Sequence, residues 1–154
     1  MTRKPLTLDQ VAALIKTKDI GVFAGADLSA IDLRVLELTH ANLSSASLRG
    51  VDLSGTTLVM ANFVGAILAE ADLTGANLTD ATMWLADLSG AKLVAANLTG
   101  VYLVGAKLQG ADLRDATLLD ANLWKADLTN AKLEGASLGG ALLKGAILDG
   151  ATGI

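Results

Sequence analysis

The chain has 154 residues, 52% of them apolar but only 3% aromatic, with 16 acidic and 12 basic side chains for a net charge of −4. Its core must therefore be built from Leu and Ala, and the mild acidity argues against a nucleic-acid surface, which needs a basic patch. The absence of cysteine excludes disulfides, thiolate metal sites and a Cys nucleophile, and a single histidine, His40, excludes a two-His metal site or a triad within one chain.

Residues 1–20 read as a capping segment. Met1 to Lys18 shows no apolar stretch of the signal-peptide kind, so a cytoplasmic location is expected. No run approaches the ~18 apolar residues of a membrane span, and no membrane partner is expected. Thr7 followed by Gln10 fits a capping box, and Leu6 with Val11 fits a hydrophobic staple. Leu8, Val11, Ala12 and Ile15 then form an apolar stripe at helical spacing, with Asp9, Lys16 and Lys18 outside it. The spacing predicts a short α-helix over about 8–18 that covers the edge of the next element, because bare edges invite pairing with other chains.

Residues 21–151 are a tandem repeat. From Phe23 to Leu148 every fifth residue is Leu, Phe or Met, 26 positions in all, and two residues before most of these centres stands Ala. A polar residue, often Asp or Asn, lies between, as in Ala71-Asp72-Leu73-Thr74-Gly75. On a helix five steps rotate the Leu column by about 140° each time, so no face collects it. On a flat strand five steps reverse the side, and alternate Leu residues would face water. A chain that turns a corner every five residues satisfies the pattern, with Ala and Leu inward. Gly at the position two after the centre, in 13 of the 26 repeats, supplies the positive φ such a corner wants.

This consensus, Ala-(Asp/Asn)-Leu-X-X, resembles the pentapeptide-repeat family. The resemblance implies an all-β solenoid: a right-handed quadrilateral β-helix with four repeats to a coil, hence about 6.5 coils. Residues 152–154 are left as a C-terminal tail. Four columns follow from the 20-residue coil. Face 1 is centred on Phe23, Leu43, Phe63, Met83, Leu103, Leu123 and Leu143; faces 2, 3 and 4 start at Leu28, Leu33 and Leu38.

Three surface features stand out. On face 1 the outward positions Val64, Trp84, Val104 and Trp124 follow one another up four coils, with Tyr102 on the same face and Leu85 at its corner. Met60, Val59 and Leu119 belong to the adjacent face 4. Trp and Tyr are enriched at interfaces, so this wall is the expected partner-binding surface. On face 3, Asp32, Asp52 and Asp72 share one outward column about 5 Å apart. Like charges directly opposite repel, so their pKa values should rise, an effect that Arg34 nearby offsets in part, or a Ca²⁺ or Mg²⁺ ion should bridge them weakly. Higher up the column alternates as Lys92, Asp112 and Lys132, and on face 2 Lys107 sits between Asp87 and Asp127, which predicts cross-strand charge pairing. At the C-terminal end Leu142, Ile147 and Ile154 lie beside an uncapped last coil, which predicts a weak end-to-end homodimer.

No catalytic constellation, phosphate-binding loop or cofactor site is expected, and the chain is read as a non-catalytic interaction scaffold with a protein partner. The resemblance supplies an alternative, since some pentapeptide-repeat proteins mimic duplex DNA and bind DNA gyrase, protecting it from quinolones. Such mimicry wants strongly acidic faces, and Lys92, Lys107, Lys125, Lys132 and Lys144 interrupt them here. A third reading, a flat surface for ice or a polysaccharide, would use Thr79 and Thr99 beside Asn77 and Asn97 on face 4, an array that Val59 and Leu119 break.

Overall fold

The computed structural model describes residues 7, 9–11, 13, 23–29, 31–34 and 36–154. From residue 36 onward the chain repeats one unit: an extended three-residue step, then a turn. In the unit Ala71–Gly75, the corner closes by a hydrogen bond from the Ala76 N–H to the Leu73 carbonyl, 3.0 Å. Gly75 carries φ +65°, as the third position of a type II turn requires.

Each coil is tied to the next by parallel bridges between residues 20 apart, such as Asp52↔Asp72, Asp72↔Lys92 and Lys92↔Asp112. Four corners therefore bring the chain back over itself, one coil above another. Three backbone bonds recur per repeat: Leu73 N–H to Lys92 O at 2.7 Å, Gly75 N–H to Val94 O at 2.9 Å, and Lys92 N–H to Ala71 O at 2.9 Å. The interior is the stacked Ala and Leu columns, almost all fully buried from Ala26 to Leu133. Phe23 and Phe63, the two phenylalanines, lie buried in the face 1 column. Full burial of a Leu contributes about 1.5–3 kcal/mol, and the whole is a sum of coil-on-coil contacts. The one buried polar side chain among the described residues, Thr56, stands where most repeats have Ala; its hydroxyl donates to the Leu53 carbonyl at 2.6 Å.

The Asp/Asn preference of the repeat has a local cause. In each such unit the side-chain oxygen accepts the N–H two residues on, at the start of the corner: Ser54 N–H to Asp52 at 2.9 Å, Val64 to Asn62 at 3.0 Å, Thr79 to Asn77 at 3.1 Å. Every described corner has positive φ, including those without glycine, among them His40 (61°), Met60 (55°), Leu85 (56°) and Lys125 (56°). A left-handed conformation costs a residue with a side chain about 1–2 kcal/mol, so these corners are held by the ladder on either side.

At the N-terminal end Asp9, Gln10, Val11 and Ala13 are helical. The Thr7 N–H donates to Gln10 Oε1 at 2.9 Å and the Gln10 N–H to Thr7 Oγ1 at 3.3 Å, a reciprocal capping box. Val11 is fully buried in the same apolar cluster as Phe23 and Leu28. The remainder of the expected 8–18 helix, with Leu8, Ala12 and Ile15, lies outside the described residues. At the other end the ladder includes Thr152, which bridges Lys132. Gly153, at φ +79°, lies so close to the main chain of Leu133 and Glu134 that any side chain there would overlap it.

Candidate functional site

The inward–outward alternation leaves the second and fourth residues of each unit, and the corner, to make the surface. On face 1 these positions bring together the residues expected from the sequence. Trp84 is 48% exposed, Tyr102 45%, Trp124 42% and Leu85 69%. Val64 and Val104 are half-buried between them. The bridges Thr82↔Tyr102 and Tyr102↔Asn122 put Tyr102 in the column beside the tryptophans. The backbone bonds Leu85 N–H to Val104 O and Gly105 N–H to Trp124 O hold the three coils of Trp84, Val104 and Trp124 in direct succession.

Sequence reasoning passed over two properties of this wall. First, it carries no Asp or Glu: its only charges are Lys125 and Lys144, at the C-terminal end, whereas faces 2 and 3 hold most of the charges of the repeat region. Tabulating charge by the 20-residue period would have revealed this. Second, Lys125 folds back so that its Nζ lies 4.5 Å above the Trp124 ring centroid, a cation–π contact. Ile67, on face 2 just past the Gly65 corner, is also 44% exposed and extends the apolar surface around the edge. Met60 and Leu119 on face 4 are exposed and Val59 is half-buried.

The Asp ladder on face 3 corrects the expectation for it. The pKa values of Asp32, Asp52 and Asp72 are lowered, not raised. Asp32, held chiefly by its hydrogen bonds from Arg34, falls to about 2. The Ser54 hydroxyl and N–H lower Asp52, and those of Thr74 lower Asp72. Arg34 reaches Asp32 at 2.9 Å and Asp52 at 3.0 Å, and Lys92 reaches Asp72 at 3.3 Å. Repulsion within the column is thus outweighed by donors inside each repeat and by two cations across coils. Among the described residues no group of three or more His, Cys, Asp or Glu is arranged to hold a metal ion.

The backbone bridges stack Asp72, Lys92, Asp112 and Lys132, and Asp87, Lys107 and Asp127, in register. Of the expected cross-strand charge pairs, however, only Lys92–Asp72 closes as an ion pair among the described residues, at 3.3 Å. Asp112 pairs with Arg114 of its own repeat, and Asp127 accepts from Gln109 Nε2 at 2.7 Å. Because these carboxylates have depressed pKa values in the folded chain, the stability they add is present above their ordinary pKa and lost as pH falls through the folded values. Melting temperature should hold steady above about pH 5 and fall between about pH 4 and pH 2, a profile that thermal melts across that range will check.

On face 4 the Thr79 and Thr99 hydroxyls each donate to the Asn of their own repeat at 2.7 Å. They are engaged within the ladder. His40 is an exposed corner residue. No helix of the described residues is long and apolar enough to cross a membrane.

A parallel β-solenoid with 20-residue coils, corners every five residues and Ala-Leu interior columns defines a narrow class. Its sequence signature matches the model of the Pentapeptide repeats family in 8 copies, over residues 22–58, 46–84, 58–93, 85–120, 96–135 and 126–152. The chain belongs to the pentapeptide-repeat family, whose members form right-handed quadrilateral β-helices. Among solved structures it is similar to HetL, a pentapeptide repeat protein involved in heterocyst differentiation regulation from the cyanobacterium Nostoc sp. strain PCC 7120: 37% identity over 85% of this chain and 62% of HetL, TM-score 0.43. A pentapeptide repeat protein of the Arabidopsis thaliana thylakoid lumen is 34% identical over 86% of this chain and 68% of its own, TM-score 0.31. QnrB1, a plasmid-mediated fluoroquinolone resistance protein, is 20% identical over 81% and 66%, TM-score 0.32. The chain thus spans less than two thirds of HetL. A comparison with curated proteins gave no match.

Proposed function

We propose that this chain is a non-catalytic protein-interaction scaffold of about six and a half coils, closed at its start by the segment that carries the Thr7–Gln10 capping box and buried Val11, and that it meets its partner through face 1. The observation that supports this reading most strongly is the concentration of both tryptophans, the only tyrosine and, among the described residues, the most exposed leucine on one wall that has no carboxylate. Exposed apolar patches of several hundred Å² are uncommon on proteins that act alone. Pentapeptide repeat proteins are in general non-catalytic scaffolds, in keeping with a chain that has no cysteine and one histidine at an exposed corner. The gyrase-mimic alternative is disfavoured by the lysines that stand between aspartates in the bridged columns of faces 2 and 3. A pull-down from the source cells should recover a partner with the parent chain and lose it with Trp84→Ala plus Trp124→Ala, a loss of ~2 kcal/mol or more in contact free energy. Equal recovery by both proteins would remove face 1 from the reading.

A second contact is proposed at the last coil. Leu142, Ile147 and Ile154 are 58%, 46% and 64% exposed. The N–H groups of Leu138, Leu143 and Leu148 face outward from the end of the ladder and donate to no backbone carbonyl. Two 154-residue chains joined end to end across a two-fold axis would cover these groups, with micromolar affinity for so small a cross-section. Sedimentation over a concentration series should show a dimer that charge at Leu142 and Ile147 abolishes; a strict monomer at high concentration contradicts it.

A further inference from the structure

Face 1 is a relief rather than a flat sheet. Large residues share a coil as Trp84 with Leu85 and as Trp124 with Lys125, whereas in the alternate coils the same two positions are low, Val64 with Gly65 and Val104 with Gly105. Trp84 and Trp124 are two coils apart, about 9.6 Å. Between them lies a shallow apolar seat floored by half-buried Val104. Tyr102 stands on one side of it, and on the other Leu85 leans over Gly105, its Cδ2 3.0 Å from where a Cβ would be. The same step repeats one ridge lower, where Val64 lies below Trp84.

Leu85 bears on the seat for a second reason. It combines 69% exposure with φ 56°, and neither burial nor backbone preference accounts for a leucine at that corner. The ladder imposes that φ at every described corner, with or without glycine, so what this position adds to the wall is its exposed leucine side chain.

We propose that the occupant of face 1 is an amphipathic α-helix of a partner protein, lying along the solenoid axis, with apolar side chains seven residues apart seated over Val64 and Val104 and acidic residues beside Lys125 and Lys144. This rests on the reading of face 1 as the contact wall. Seven helical residues rise about 10.5 Å, close to the two-coil spacing of the seats. The wall's only charges are those two lysines, and the nearest carboxylates, Asp80 and Asp120, stand at the corner along its opposite edge, so acid is attracted to the lysine edge. A stacked sugar fits less well, because Lys125 already lies over the Trp124 ring.

The test is a phage-displayed library of peptides about 18 residues long, random in pattern, selected in parallel on the parent chain and on Val104→Trp. The variant keeps an apolar outward side chain but fills the seat. Enriched peptides should carry apolar residues at helical spacing with acids clustered toward one end, and become helical by circular dichroism on binding. They should lose at least tenfold in affinity for Val104→Trp and for Lys125→Glu plus Lys144→Glu, with the fold of each variant confirmed by its melt. Enrichment of extended or unpatterned peptides, or equal affinity for Val104→Trp, overturns the helix. If those other peptides still need Trp84 and Trp124, the contact wall stands without it; if they bind Trp84→Ala plus Trp124→Ala as tightly as the parent, the wall falls too.

Discussion

A chain carrying Leu93→Asp is expected to lose most of its stability, whereas Lys92→Asp, one residue away, should retain nearly all of it. Leu93 is 1% exposed and stacks in the face 3 column between Leu73 and Leu113, both fully buried. Its surroundings are Ala and Leu side chains, so a carboxylate there would be buried and unpaired. The cost is several kcal/mol, against a total stability of about 5–15 kcal/mol for an ordinary domain. Coils contact only their neighbours, so a coil broken at this level severs the stack into two weak halves. At position 92 the side chain points out, and Asp there would oppose Asp72 and Asp112 across the bridges, a penalty of about 1 kcal/mol or less. Parallel thermal melts by circular dichroism check the contrast. If Leu93→Asp melts with the parent, the inward register is wrong.

The second large effect is expected at the other boundary of the core. Val11 is as buried as the leucines and belongs to their cluster. Val11→Asp should therefore cost several kcal/mol, felt mainly by the coil that contains Phe23 and Leu28, and deletion of residues 1–18 should expose that coil's edge and promote aggregation. Thr7→Ala, which removes only the capping-box hydroxyl, should cost about 1 kcal/mol. Hydrogen exchange at Leu28 and Leu48, with light scattering on the truncated chain, is the measurement. A truncated chain that stays monomeric and exchanges no faster would contradict a capping role for this segment.

Much of the architecture was legible because the period of five is incompatible with both regular elements, leaving the cornered path as the only one that buries every Leu. The outward positions of Trp84, Tyr102 and Trp124 followed from the same register. What stayed hidden was the chemistry made inside a single unit. The Asp32, Asp52 and Asp72 column looked repulsive, with Arg34 only a partial offset, because the donors two positions away on the other two aspartates were not weighed: Ser54 on Asp52 and Thr74 on Asp72. Likewise the Gly at many corners signalled positive φ, but nothing local announced that Leu85, Met60 and Lys125 would adopt it as well. The ladder bonds on either side impose that conformation. The backward fold of Lys125 over Trp124 depends on a rotamer, which no spacing encodes.

The central claim is that five-residue register separates an interior that makes the fold from a face 1 wall that is free to make contacts. Melting Trp84→Ala plus Trp124→Ala beside the parent chain tests it most directly. The side chains are 48% and 42% exposed, so the double variant should melt only a few degrees lower, the shift of about 1–2 kcal/mol in a chain of this size. A fall of roughly 15 °C or more, comparable to losing interior leucines, would show that the wall is part of what holds the coils together.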